Sequence, residues 1–377
     1  MKKHALVLVF VVLAVLVGCA EHEHSWKLVS ETAPTREAEG EKRYECITCG
    51  AEKVDVISAL KDIDLGFLDA YKEDATKVPD GFSFKDSKYD EANTAMDEIV
   101  REVHIESKEA LLYYAYKFDK AAAYAACTEH GEDGKSYCIW YQNSCDHSGV
   151  KYITNVYLDC DIDFENEVLT EPMKIYGTTL KGQGHVIKNA YVYGTAESNG
   201  NAGLFFLGNG GKDSAVFASI DDLKIDNVHV ETDVSFNENA HAGILVSVGV
   251  TSVSNVTITN SSVKGGKYTG AIAGFIYGGS ITGCTVEDCS ISGQYKIGGA
   301  VGQIESGNGD VKGNSFKNVG IKVENLLENK TAVVGKVVGD YNCNGECSGN
   351  AFEGSLPEES TKWIGKIESG MEVTGTN

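Results

Sequence analysis

Arginine is almost absent from this chain. Of 33 lysines and arginines only Arg36, Arg43 and Arg101 are arginines, so everything after residue 101 lacks the guanidinium base that many uronate lyases use for proton abstraction. Positive charge is scarce in general, because 55 acidic residues leave a formal net charge of −22. A surface of that sign repels polyanions, which excludes a nucleic-acid partner and disfavours direct adsorption to anionic lipid headgroups. Proline is the third scarcity, with 4 in 377 residues against 42 glycines. A chain of this length and composition can bury one large elongated core and carry smaller modules ahead of it.

What is abundant is a repeated pattern. A twelve-residue block reads SIDDLKIDNVHV from Ser219, SVSNVTITNSSV from Ser252, SITGCTVEDCSI from Ser280 and DVKGNSFKNVGI from Asp310. In the first block apolar residues hold places two, five, seven, ten and twelve, namely Ile220, Leu223, Ile225, Val228 and Val230, and the others largely follow it. That is period-two alternation broken by steps of three, which means short strands joined by tight bends. Places eight and nine hold Asp226-Asn227, Thr259-Asn260, Glu287-Asp288 and Lys317-Asn318. Such pairs suit a corner, since Asn and Asp tolerate left-handed backbone. The blocks start 33, 28 and 30 residues apart, a spacing that suits one structural unit stacking on the next. Between them lie Gly-flanked apolar runs beginning at Asn201, His241, Thr269, Ile297 and Thr331. Glycine serves there at corners of positive φ and where stacked backbones approach closely. Weaker copies near His185 (Ile187, Lys188-Asn189, Ala190, Val192) and from Cys347 extend the series to about six units, enough for a stable stack.

The segments GLFFLG, GAIAGFIYGGSITGCTVEDCSISG and GGAVGQIESG resemble the Gly-rich GLUG repeats of bacterial surface and adhesin-like proteins. YLDCDIDFENEVLTEPMKIYGTTLKGQGHVIKNAYV resembles the opening coils of such domains, and the likeness spans roughly residues 104–354. The resemblance implies a mainly β fold, a right-handed parallel β-helix (solenoid), expected over 151–356. It says little about function, because that architecture hosts lyases, hydrolases, adhesins and inert stalks.

The first nineteen residues, MKKHALVLVFVVLAVLVGC, read as an export signal. Lys2 and Lys3 precede an apolar core over 5–17, and Leu16-Val17-Gly18-Cys19 matches the bacterial lipobox. The apolar run is too short for a comfortable membrane span. The expectation is acylation of Cys19, anchorage in a lipid bilayer by the acyl chains, and a mature chain of net charge −24 exposed on the bacterial cell envelope.

Residues 20–54 contain Cys46-Ile47-Thr48-Cys49-Gly50, a knuckle that presents two thiolates to one metal, with His22 and His24 upstream. The segment resembles a short ribbon module of Gram-positive and spirochaete surface proteins, written His-x-Trp, a Cys, then Tyr-x-Cys-x-x-Cys-Gly. His24-Ser25-Trp26 and Tyr44 to Gly50 match, while Arg36 stands near the place of the middle cysteine. A structural zinc on Cys46, Cys49, His24 and His22 is set against a local disulfide or reduced thiols.

Residues 55–130 read as helical. Ser107 is the N-cap of a helix carrying Ala110, Leu111, Tyr114, Ala115 and Phe118 on one stripe, placed to cap the first coil. DEANTAMDEIVREVHI reads as a second helix running into a strand near residues 103–105. A polar excursion over 131–150 follows, with Cys127, Cys138 and Cys145 in and before it and Cys160 beyond, and 357–377 reads as a tail. Cys284 and Cys289 occupy inward block places as small buried hydrophobes, and Cys343 and Cys347 are spaced for a loop disulfide.

For catalysis the chain offers Asp221-Asp222, which resembles the paired aspartates of polygalacturonase-like hydrolases, and His185 in a Gly-His step. The partner Asn-Thr-Asp and Arg-Ile-Lys runs of that family are missing. These residues read better as a solvated corner and a turn, and no catalytic residue is assigned. Tyr268 and Tyr295, with Lys267 and Lys296 adjoining, precede Gly-flanked strands of successive repeats and offer flat rings suited to sugar faces. The functional expectation is a surface lipoprotein for adhesion or for binding a glycan or host surface protein. The alternatives are a β-helix polysaccharide lyase or glycoside hydrolase, and a passive surface spacer.

Overall fold

The computed structural model describes residues 23–71, 77–88, 99–117, 151–174, 179–195, 198–207, 218–232, 240–249, 251–357 and 360–375. Cys19, His22, Phe118, Cys127, Cys138 and Cys145 lie outside the described residues, and so do the expectations attached to them. The chain divides into two compact units, 1–61 and 62–377. In the first, strands Trp26–Thr32, Gly40–Cys46 and Glu52–Ile57 form an antiparallel sheet in that order. Its third strand runs past residue 54, the boundary expected from sequence.

The second unit is mainly β, and its strands pair almost entirely in parallel. The blocks pair in the register that the sequence predicts: Ser219 with Ser252, Val253 with Ile281, and Ser280 with Asp310. Ile225, Ile258, Val286, Phe316 and Phe352, all at place seven, are successive partners in one column. The first four are at most 1 % exposed, and Phe352 packs against the same core. The column forms because each repeat delivers one apolar side chain at the same step of the pleat, where burying it is worth roughly 1.5–3 kcal/mol.

Corners occur at two places per block. The ninth place is left-handed, with φ of 55° at Asn189, 52° at Asn227, 50° at Asn260, 54° at Asp288 and 52° at Asn318. The fourth place is left-handed too, at Asp222, Asn255, Gly283, Gly313 and Gly349. Their side chains also tie repeat to repeat. Asn227 Nδ2 donates to Asn189 Oδ1 at 2.8 Å, and Asn318 Nδ2 donates to Asp288 Oδ1 at 2.6 Å.

A four-stranded parallel sheet, His241–Gly243, Tyr268–Gly270, Lys296–Gly298 and Val333–Gly335, ends each strand on glycine at one register. None of these four glycines has positive φ. They are required by space. A Cβ on Gly298 would lie 2.2 Å from Val301 O and 2.6 Å from Val337 O.

Three expectations need correction. Among its described residues the region 55–130 is not mainly helical: Phe82–Lys88 and Ile99–Ile105 are antiparallel strands, and the latter, which includes the strand expected near residues 103–105, runs parallel to Lys151–Leu158, while the helix expected ahead of it falls on residues 89–98, outside the described ones. In Ile99–Ile105 the buried Val103 and Ile105 alternate with Glu102 and His104, the period-two pattern of a strand with one face in the core. The helix Lys108–Tyr116 does form on its Ser107 cap, whose Oγ accepts from Ala110 N at 3.1 Å. Leu112 and Tyr113 are buried with the expected stripe, so the helix is enclosed rather than laid on one face.

The stretch 357–377 is no tail. Ile364–Ile367 and Val373–Thr374 pair with Val338–Ser348, and Trp363 and Val373 pack against the core. Lastly, Cys343 and Cys347 are buried free thiols on the strand Val338–Ser348, not a loop disulfide. Burial raises each to about 11.

Candidate functional site

The antiparallel sheet of the first unit gathers a small cluster of residue types that can ligate a metal. Trp26 pairs with Cys46 at the end of two strands, and the chain then turns tightly, with Gly50 N donating to Cys46 O at 2.8 Å and Gly50 at φ 71°. That turn brings Cys49 back beside Cys46. His24 precedes the first strand, its ring stacked on Trp26 at 4.9 Å, and its Nδ1 lies 3.5 Å from Cys49 Sγ. The ligand atoms of His24, Cys46 and Cys49 all fall within 4.8 Å of one another. Cys46 is buried and Cys49 partly exposed. Two thiolates and an imidazole at that spacing are a donor set for a tetrahedral soft or borderline cation. Three of the four expected ligands are thus together, and the fourth, His22, lies outside the described residues.

The expected sugar strip is partly assembled and partly rearranged. The register pairs Tyr268 with Lys296, so Tyr268 and Tyr295 are not equivalent in successive repeats. Tyr268 is the middle of a ring cluster, stacked on His241 at 5.0 Å and edge-on to Phe275 at 5.4 Å, with Tyr277 edge-on to Phe275 at 4.6 Å. Lys267 Nζ sits 5.1 Å from the Tyr268 centroid, and Lys330 Nζ 5.8 Å from that of Tyr295. Tyr268, Tyr277, Tyr295 and Lys267 are partly exposed.

Lys296 departs from the expectation. It is 8 % exposed, with Nζ 2.5 Å from Asp340 Oδ2 and 3.0 Å from Gln303 Oε1. It is therefore a buried ion-pair partner rather than a cation offered to solvent. It also lies over both rings, 5.4 Å from Tyr268 and 5.7 Å from Tyr295. Burial pushes the Asp340 carboxyl above the usual carboxylate range, against the pull of Lys296. Burial, with Lys267 nearby, lowers His241 to about 4.

Sequence reasoning missed His241, Phe275, Tyr277, Gln303 and Asp340. His241, Tyr268 and Lys296 share one register position, and Phe275, Gln303 and Asp340 share another. Aligning the Gly-flanked runs on their glycines would have revealed both columns.

The residues weighed for hydrolysis are engaged in structure. Asp221 accepts from Lys181 at 2.9 Å and Ser254 at 2.6 Å, which with the Asn255 amide holds its carboxyl below the usual range. Asp222 forms a left-handed corner, and His185 Nδ1 lies 3.0 Å from Asp161 Oδ1. Cys284 and Cys289 are buried in the core as expected, each raised by burial to about 11.

No protein-family model, no curated protein and no solved structure matches the chain.

Proposed function

We propose that this is a lipid-anchored protein of the bacterial cell surface, tethered through Cys19, whose second unit is a right-handed parallel β-helix that binds glycans. The in-register parallel pairing of one block per repeat supports the helix. The GLUG-like segments and the lipobox support its place on a bacterial surface. The observation that carries the binding function is the partly exposed aromatic row of Tyr268, Tyr277 and Tyr295, backed by Phe275 and edged by Lys267 and Lys330. Aromatic faces present the flat apolar surface that pyranose rings stack on, and a contiguous exposed apolar patch marks an interaction site.

Binding is favoured over hydrolysis because the carboxylates near the row are committed. Asp340 holds Lys296, and Glu305 accepts from Gln303 at 3.2 Å. A glycan array on purified protein tests the reading. The Tyr268→Ala, Tyr295→Ala double variant is expected to lose at least tenfold in affinity for each wild-type hit, and unchanged binding would move the ligand site elsewhere. In the first unit, His24, Cys46 and Cys49 hold a structural zinc ion. Acylation of Cys19 predicts that Cys19→Ser abolishes palmitate labelling in cells.

A further inference from the structure

Lys296–Asp340 is the most deeply buried ion pair among the described residues. The two residues lie 44 positions apart and meet across adjacent repeats, since Lys296 is in register with Val333 and Asp340 with Gln303. Nζ stands 2.5 Å from Oδ2, and both side chains are withdrawn from water, Lys296 at 8 % and Asp340 at 0 % exposure. Gln303 Oε1 accepts from Nζ at 3.0 Å and fixes its approach, while the Tyr268 and Tyr295 rings close over it. The other carboxyl oxygen, Asp340 Oδ1, is buried with no hydrogen-bond partner among the described residues. A third group stands by: Glu368 N donates to Tyr341 O at 2.9 Å, and the Glu368 carboxylate interacts with Lys296 and with the Asp340 side chain. Lys366, first, and also Lys296 and Asp340 hold that carboxyl below the usual range.

We infer that Lys296 and Asp340 become joined by an intramolecular isopeptide bond once the repeats have stacked, with Glu368 relaying the proton. The ammonium of Lys296 first passes a proton to the Asp340 carboxylate, leaving an amine and a carboxylic acid. Low polarity favours that neutral pair, and burial already biases the Asp340 carboxyl toward protonation. The Nζ lone pair then attacks Asp340 Cγ. Glu368 takes a proton from Nζ and returns it to the departing hydroxyl. One C–N bond forms, one C–O bond breaks, a water leaves, and Glu368 ends as it began. No oxidant, nucleotide or other co-reactant is consumed. Holding amine and acyl carbon in contact replaces an encounter between two molecules, an advantage equivalent to effective concentrations of about 10⁵–10⁸ M in well-oriented systems. The product is a neutral amide in place of a buried charge pair whose Oδ1 lacks a donor.

The test is a tryptic map of the denatured full-length protein by mass spectrometry, and it does not depend on whether the aromatic row binds a glycan. The expected product is a branched peptide, residues 268–312 with Lys296 uncut, joined to residues 337–362 at the summed mass less one water. Lys296→Arg and Asp340→Ala should each remove the branched species. Those changes disturb the core, so Glu368→Gln provides the second measure. It keeps both reacting groups, and in protein that still melts cooperatively it should slow appearance of the branched peptide by at least tenfold, with Glu368→Asp restoring part of the rate. Wild-type protein that yields only linear peptides 268–296 and 337–362 at their unmodified masses would overturn the inference. Cross-linking of Glu368→Gln at the wild-type rate would overturn the relay.

Discussion

His241 shows how one side chain makes the fold sensitive to pH. Its ring stacks on Tyr268, its Nδ1 lies 2.8 Å from Asn201 Oδ1, and burial brings it from 6.5 to about 4. The folded state therefore binds fewer protons than the unfolded chain between those values, so its contribution is complete above pH 6.5 and is lost as pH falls toward 4. At about 1.4 kcal/mol per unit, the loss should approach 3 kcal/mol. Urea unfolding at pH 7 and pH 4.5 should show the effect, and His241→Tyr, the residue at that register in the next repeat, should diminish it. An identical pH dependence in the variant would assign the effect to other groups. Nothing in the sequence near His241 marks this, because its partners come from segments 27 and 40 residues away. Lys296 escaped for the same reason. Read locally it is a cation beside a tyrosine, and only stacking reveals Asp340 against it.

At the level of the strand and its corners, glycine works in two distinct ways that mutation can separate. Gly313 occupies a left-handed fourth place, with nothing within 4 Å of a Cβ, where other blocks carry Asp222 and Asn255. Gly313→Asn should change stability by no more than about 0.5 kcal/mol. Gly298 has ordinary φ but no room, and Gly298→Ala should cost about 1–3 kcal/mol or more through overpacking. Chemical unfolding of both variants checks the contrast, and equal costs would refute it. In the core, Ile258→Asp would bury an unpaired carboxylate in the place-seven column and should abolish cooperative folding, as read by circular dichroism.

These elements divide what was legible in the sequence from what was not. Places two, five, seven, ten and twelve are all buried across the four blocks, and the ninth place is left-handed as its Asn and Asp residues implied. The fourth-place corner was overlooked, although Asp, Asn, Gly and Gly stand there in turn. The strand near residues 103–105 was legible and extends back to Ile99, whereas Phe82–Lys88 was hidden because its pairing with Ile99–Ile105 is a non-local interaction. The proximity of His24, Cys46 and Cys49 was readable, since two of them sit in one turn.

For the molecule as a whole, the division at residue 61 predicts two stabilities rather than one. The first unit has three short strands, and its strand Trp26–Thr32 is exposed throughout, so little apolar burial sustains it. Zinc bound at the knuckle would supply the missing stabilisation. About one equivalent of zinc per chain is expected by elemental analysis, and Cys49→Ser should lose it. Chelation should abolish hydrogen-exchange protection in Gly40–Cys46 while leaving Lys224–Thr232 protected, and protection of Gly40–Cys46 that survives chelation would argue for a metal-free module. The second unit poses a mechanical question. Its parallel ladders bond each repeat only to its neighbours, and those hydrogen bonds point along the direction of stacking. A pull along that direction would act on each bond lengthwise and open the repeats singly, as a zipper does, starting at the weaker end. Extension at constant speed should then give a train of small force peaks about one repeat apart in contour length.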